Sequence, residues 1–333
     1  MIDKENAHLF QGDALGFYDC WKTPTVIISD GAYGIDGFEG DMKSHESLAE
    51  WYEPHIEKWS ELCATYTTLW FFNTEIGWAN VHPVLKEHGW KYVRCCVWDK
   101  GISHVAGRTN TKTLNQLPCC TEVVVQYVRD SIGGIPIQNF LRDEWVRTGL
   151  PLSKANEACG VKNAATRKYL TADSCFYIPP DDKFAMLKDY ANEHGNPEGK
   201  PYFEREIIEK SNEQIDAIKQ KVMLRQPKFH CPAGITNVLS FSHLSGEERI
   251  RNEKGKNLHP NQKPLAMMDM LITVSSDKGD VVWEPFGGLF TASLSAVQNG
   301  RIAYGAEIES KFYYAGLERF DEENARPVQL ELF

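Results

Sequence analysis

Apolar residues in the first part of this chain fall into short β-rich runs separated by stretches with helical periodicity. Thr25-Val26-Ile27-Ile28 runs into Asp30, and Thr67-Thr68-Leu69-Trp70-Phe71-Phe72 follows an amphipathic stretch from about Glu46 to Cys63. Further strands are expected over 92–98 and 122–127, after which Gly133-Gly134-Ile135-Pro136 punctuates the chain. From there to about Ile235 the pattern is helical and polar. A strand, a turn and a helix return at Asp280–Gly288, followed by a strand over Arg301–Glu307. This alternation predicts an α/β fold with a mostly parallel, doubly wound sheet, interrupted by an inserted region and then completed. The boundaries it suggests are 1–132, 133–235 and 236–333.

Length supports that organisation, since 333 residues exceed the usual single-domain size. The nine cysteines are odd in number and never spaced as C-x-x-C, which argues against a disulfide framework and a structural zinc site. A polar N-terminus and the lack of any apolar run near the roughly 20 residues of a membrane span predict an untargeted, cytoplasmic protein. The formal net charge of −10 argues at first sight against a nucleic-acid partner. Between Lys219 and Lys263, however, nine cationic residues face three anionic ones, a local balance of about +6. Arg249, Arg251, Lys254 and Lys256 form its densest part, either a phosphate-binding loop or simply a solvated one.

The strand ending at Glu284 enters a turn through Gly287 and Gly288, and the next strand ends at Glu307. Glycines there let backbone approach a ligand, and a strand-end carboxylate can hold ribose hydroxyls. Alone, such a turn is as readily tight packing. Its company changes the reading, because His259-Pro260-Asn261-Gln262-Lys263-Pro264 precedes it by a helix's length. This order resembles the beta class of DNA amino-methyltransferases: a catalytic strand-end motif, a target-recognition region, then an H-P-x-Q-K-P segment leading into a D-P-F-x-G-x-G turn. The resemblance implies a Rossmann-like fold with circularly permuted motif order and S-adenosylmethionine as cofactor. It assigns Asp13, Lys263, Pro264, Glu284, Pro285, Phe286, Gly287, Gly288 and Glu307 to the cofactor site. Two departures stand out, Glu284 for the leading Asp and Phe290 for the last glycine. A side chain at Phe290 is expected to narrow the approach to the turn.

Ser29-Asp30-Gly31-Ala32-Tyr33-Gly34 occupies the place of that family's D-P-P-Y motif, with Gly31-Ala32 replacing the stiffer Pro-Pro. By itself it reads as readily as a plain turn. By the resemblance, the Asp30 carboxylate and the Gly31 carbonyl accept from the target amine, and Tyr33 stacks on an extruded base. The leading Asp favours adenine N6 over cytosine N4. Transfer would be direct, with no metal and no covalent enzyme intermediate.

Residues 152–170 read as helix, glycine turn, helix, the grammar of a helix-turn-helix in double-stranded DNA recognition. Its second helix would present Lys162, Asn163, Thr166, Arg167 and Lys168. An ordinary helical hairpin with a basic face reads equally from these residues, and Asn156 stands where a small residue usually lets the helices pack. Gln329–Phe333 resembles a peptide that docks on bacterial sliding clamps; a homodimer is a further open partner. A DNA-binding protein on a catalytically degenerate fold is the rival from another class, and Phe290 and Gly31-Ala32 motivate it.

Overall fold

The computed structural model describes residues 2–4, 6–36, 41–64, 66–105, 113–129, 136–171, 179–203, 227–244, 246 and 248–324. It divides into two units, one made of 1–129 with 227–333, the other of 130–226. The first holds a nine-stranded sheet in the order β1-β2-β9-β8-β3-β4-β6-β5-β7. These strands are β1 Ile2–Lys4, β2 Ala7–Gln11, β3 Val26–Ser29, β4 Thr68–Asn73, β5 Trp90–Asp99, β6 Thr121–Arg129, β7 Val238–Ser240, β8 Val281–Glu284 and β9 Ile302–Glu307. Strands β2, β9, β8, β3 and β4 run parallel to one another, whereas β1 is antiparallel to β2 and β6 is antiparallel to both β4 and β5. Six strands fall where the hydrophobic pattern puts them. The short strands β1, β2 and β7 carry no comparable pattern and are added at the edges.

The central strands are buried on both faces, as a parallel sheet covered by helices requires. Strand β4 is buried at every position, and alternate residues serve two separate cores. Ile27, Leu69 and Phe71 pack on one face with helices α1 (Leu48–Leu62) and α2 (Glu75–Glu87). Val26, Ile28, Trp70 and Phe72 pack on the other with α7 (Leu265–Ser275) and α8 (Thr291–Gln298). Helix α9 (Ser310–Asn324) ends the described chain, so the Gln329–Phe333 tail lies outside the described residues.

Parallel pairing places the carboxyl ends of β2, β9, β8 and β3 along one edge, where such sheets bind ligands. The antiparallel strands extend that edge in a less obvious way. Asn73 at the end of β4 pairs with Val123 near the start of β6, and Glu122 pairs with Trp98 near the end of β5. Glu122 and Lys100 are thereby delivered to the same edge as Asp30.

The second unit contains α3 (Pro136–Arg147), α4 (Lys154–Ala158), α5 (Ala164–Tyr169) and α6 (Asp181–His194), packed around Leu141, Trp145, Leu187 and Phe203. Helices α4 and α5 fall within 152–170 and are joined through Gly160 at φ +66°. Asn156 is accounted for: its Oδ1 accepts the Thr166 amide at 3.1 Å and ties the two short helices together.

Candidate active site

The glycine turn leaves β8 at Glu284, whose carboxylate accepts the Ala292 and Ser293 amides at 2.9 and 2.7 Å and so caps α8. Gly287 and Gly288 follow. A Cβ on Gly287 would lie 2.3 Å from the Phe290 ring, and the Gly288 amide donates to Glu307 Oε2 at 2.7 Å. Phe290 overturns the narrowing expected of it. Its backbone is left-handed, at φ +53°, which turns the ring under the glycines into a core with Leu9, Leu294 and Tyr313. The ring is fully buried and does not line the cavity above the turn.

That cavity measures about 480 Å³, within the range of small-molecule sites. Asp13, Asp30, Lys263, Glu307 and the Pro285–Gly288 turn all border it. Pro264 does not; it is buried at the start of α7, where its missing amide costs nothing. Asp13 Oδ1 accepts the Leu15 amide at 3.0 Å, while Glu307 uses one oxygen for Gly288 and the other for the Glu309 amide at 2.7 Å. Each Glu307 oxygen keeps a lone pair for a ligand hydroxyl. Aromatic wall residues Trp51, His55 and Phe312 were not singled out from sequence. Trp51 and His55 share one face of α1, a spacing legible as core but silent about what it faces.

Beside the cavity lies a cluster of charged groups that motif reading only half anticipates. The Asp30 side chain is 19% exposed and its Oδ1 stands 2.7 Å from Lys263 Nζ, whereas Lys263 is only 4% exposed. Tyr33 Oη lies 2.9 Å from Asp30 Oδ1 and 3.0 Å from Glu122 Oε2, and accepts from Lys263 at 3.2 Å. Glu122 Oε1 in turn accepts from Lys100. Burial pushes the Asp30 carboxyl above the usual carboxylate range, against the pull of Lys263. Burial also acts to raise Glu122, but Lys263 and Lys100 outweigh it and hold this carboxyl below its ordinary value. Burial opposes the Lys263 charge, yet Asp30 and Glu122 prevail and keep it cationic.

Tyr33 is not displayed as a stacking face here. Its ring is 4% exposed, packed in the core with Phe72 and Trp98. Gly31 is needed for close packing, because a Cβ there would fall 2.7 Å from the Tyr52 hydroxyl and 2.9 Å from the Phe286 ring. Asp41 supplies the stiffness that the Pro-Pro pair would have given. Its carboxylate accepts the amides of Tyr33, Gly34 and Met42 at 2.8, 2.8 and 2.9 Å, with Ile35 at 3.1 Å. Nothing in the local sequence marks Asp41 for this role.

The segment carrying Lys263 is fixed by its own polar contacts. Gln262 bonds Glu248 O at 2.8 Å and the Ile250 amide at 3.0 Å, and Glu248 Oε1 accepts the Leu265 amide at 2.7 Å. His259, pushed down to about 3 mainly by burial, stays neutral and accepts the Asn261 amide at 3.2 Å. Arg249 belongs to this framework and not to the surface. It is 4% exposed, and its guanidinium binds the Pro260 and Gln262 carbonyls, so it presents no charge to a phosphate in this structure. Arg251, Lys254 and Lys256 are exposed on a tight turn organised by Asn252, whose Oδ1 accepts the Lys254 and Lys256 amides. In the helical unit Lys162, Asn163, Arg167 and Lys168 are exposed. Thr166 instead spends its hydroxyl on Leu152 O at 2.7 Å. Lys219, Lys221 and Arg225 lie outside the described residues.

Burial raises Glu284 from its ordinary 4.5 to about 7. The native state therefore binds this proton more tightly than the unfolded chain. The resulting stability is complete below pH 4.5 and lost as pH rises towards 7, on the order of 3 kcal/mol. Glu284→Gln, which cannot ionise, removes the effect. The difference in melting temperature between wild type and variant should shift in the variant's favour from pH 5 to pH 8. A difference independent of pH would show that Glu284 ionises as freely in the fold as out of it.

The chain is 38% identical over 96 residues to the type II methyltransferase M.HinfI of Haemophilus influenzae, a match covering 29% of this chain and 27% of that one. It is 44% identical over 63 residues to the DNA adenine methyltransferase YhdJ of Escherichia coli K12, covering 19% and 21%. The chain thus matches about a quarter of the length of these curated relatives. Its fold is that of the M1.HpyAVI–SAM complex, with a TM-score of 0.53 at 14% identity over 95% of this chain and 99% of the other. The cytosine-N4-specific PvuII DNA methyltransferase gives 0.51 at 11% identity over 99% and 89%. These neighbours share the Rossmann-like methyltransferase sheet. With the family profile matching residues 24–318, nearly the whole α/β unit and the helical unit within it, the chain belongs to the DNA methylase family.

Proposed function

We propose that this protein transfers a methyl group from S-adenosylmethionine to the N6 amine of adenine in double-stranded DNA. The observation that carries the reading is the Asp30 carboxylate, anchored by Lys263 and opening onto the cavity that Glu307 borders. That cavity fits the cofactor. Its volume is adequate, its glycine turn admits a ligand close to the backbone, and Glu307 has acceptor capacity for vicinal hydroxyls. Asp13, Lys263, Glu307 and the Glu284–Gly288 turn would hold the cofactor, which supplies an electrophilic methyl on a sulfonium. With Phe290 turned into the core, the main reason for a degenerate site disappears.

The protein's own part is to orient the amine. Asp30 Oδ2 accepts no hydrogen bond from the described residues, so it is placed to accept one amine N–H, with the Gly31 carbonyl taking the other. An acceptor there stabilises the positive charge that grows on nitrogen as it attacks. Stacking of a base on Tyr33 requires the ring to leave its packed position; in the structure its hydroxyl serves to hold Asp30. For duplex binding, Lys162, Asn163, Arg167 and Lys168 on the helical unit, and Arg251, Lys254 and Lys256 on the α/β unit, offer exposed cations and amides. Adenine is favoured by the leading Asp of Asp30–Tyr33 and by the identity shared with the adenine methyltransferase YhdJ.

The test is transfer of labelled methyl from S-adenosylmethionine to unmethylated genomic DNA, with the digested nucleosides resolved by mass spectrometry. N6-methyladenine is the expected product. N4-methylcytosine would change the base and keep the site, and DNA binding without transfer would overturn the catalytic reading.

A further inference from the structure

Glu122 and Lys100 have no role in the chemistry above, yet they meet in the same buried cluster. The Glu122 side chain is 12% exposed and that of Lys100 is 11% exposed. Glu122 faces a different cation with each oxygen: Oε1 takes Lys100, while Oε2 lies 3.7 Å from Lys263 Nζ and 3.0 Å from Tyr33 Oη. Tyr33 has a single hydroxyl hydrogen, and two acceptors stand at nearly equal distance from it, Asp30 at 2.9 Å and Glu122 at 3.0 Å. Lys263 faces both carboxylates too, though unequally, at 2.7 Å from Asp30 and 3.7 Å from Glu122. Asp30 and Glu122 therefore compete for the same donors, and what one gains the other loses. Two carboxylates and two ammonium groups leave the cluster formally neutral, which burial of this extent favours.

A carboxylate that holds both a close ammonium and a hydroxyl is a weaker acceptor for a third donor. We infer that Glu122 is a positioning residue that draws the Tyr33 hydroxyl and the Lys263 ammonium partly off Asp30, keeping Asp30 free to accept the target amine, and that Lys100 sets how strongly it does so. The inference rests on the methyl-transfer reading. Other groups facing Asp30 are Tyr33 from its own loop, Lys263 from the segment before α7 and Tyr52 from α1. Lys263 favours the ionised form of Asp30 and Glu122 opposes it, so the pH dependence of turnover reports the balance between them.

The experiment compares Glu122→Gln, Glu122→Asp and Lys100→Met with wild type, measuring kcat and KM against pH on unmethylated genomic DNA fragments. Without the Glu122 charge, Lys263 closes on Asp30. The acid limb of kcat should then move to lower pH and the plateau fall at least about tenfold, with KM for DNA nearly unchanged. Lys100→Met leaves Glu122 more strongly drawn to Lys263 and Tyr33, so its limb should move the opposite way, to higher pH. Glu122→Asp keeps the charge and should hold the limb near its wild-type position. Neither Glu122 nor Lys100 lines the cofactor cavity, so calorimetric binding of S-adenosylhomocysteine checks that each variant is folded. Loss of kcat in both charge variants without opposite shifts would make the pair a mere brace between β5 and β6 and overturn the inference. Wild-type kinetics in Glu122→Gln would overturn it as well. Absence of transfer by the wild type would fell the methyl-transfer reading first, and this inference with it.

Discussion

Asp30→Asn is expected to reduce methyl transfer by about 10²–10³-fold or more while the protein stays folded and still binds DNA. The substitution keeps the shape of the side chain and removes the charge. An amide oxygen is a weaker acceptor than a carboxylate, and with that oxygen turned to Lys263 and Tyr33 the NH2 group would stand in the place of Oδ2 and face the target amine with a donor. Lys263 retains Glu122 at 3.7 Å, so a buried ammonium is not stranded. The measurement is single-turnover transfer to unmethylated DNA, with circular dichroism and DNA binding as controls. Transfer within a fewfold of wild type would remove Asp30 from the chemistry and with it the basis of the proposed reaction.

Lys263→Met is expected to be the more damaging change to the fold, at about 3–5 kcal/mol, because it takes the ammonium from Asp30 in a buried cluster and leaves Glu122 to Lys100. Tyr33 has one hydrogen and can satisfy Asp30 or Glu122, not both. One carboxyl would then take up a proton. The sign follows from that uptake: without Lys263 the Asp30 carboxyl, already raised by burial, rises further, the native state binds its proton more tightly than the unfolded chain, and stability is gained as pH falls. Urea titrations at pH 5.5 and pH 8 should show the variant closer to wild type at the lower pH. Equal destabilisation by Asp30→Asn and Lys263→Met would mean that the lysine is not what holds the carboxylates in place.

Several of these residues could be read without the fold because each ends a strand or opens a turn and because the order of those motifs along the chain resembles a known family. Asp30 follows an apolar run, Glu307 ends another, and Lys263 sits in a short segment of unusual composition. Taken singly, each of these turns reads as readily as an ordinary one, and the signal lies in their order. Phe290 shows the limit of that reasoning: its identity suggests a blocked turn, and only a left-handed backbone reveals that the ring points into the core. Arg249 shows the same limit from the other direction. It is a cation in a basic stretch, and only the folding of 248–265 back on itself shows its guanidinium spent on two carbonyls.

What the chain determines by itself is the set of strands with two apolar faces, the interruption by a helical region, and the reactive groups placed at strand ends. What the tertiary structure decided is which ends meet. Glu122 and Lys100 are separated from Asp30 by about ninety and seventy residues and carry no motif, yet the antiparallel pairing of β4 with β6 and of β6 with β5 sets them beside it. Sheet pairing is non-local, and a register shift of one residue would turn each of these side chains to the opposite face. Periodicity can name a strand and its two faces, but its neighbours and register are fixed only when the whole sheet closes on its core.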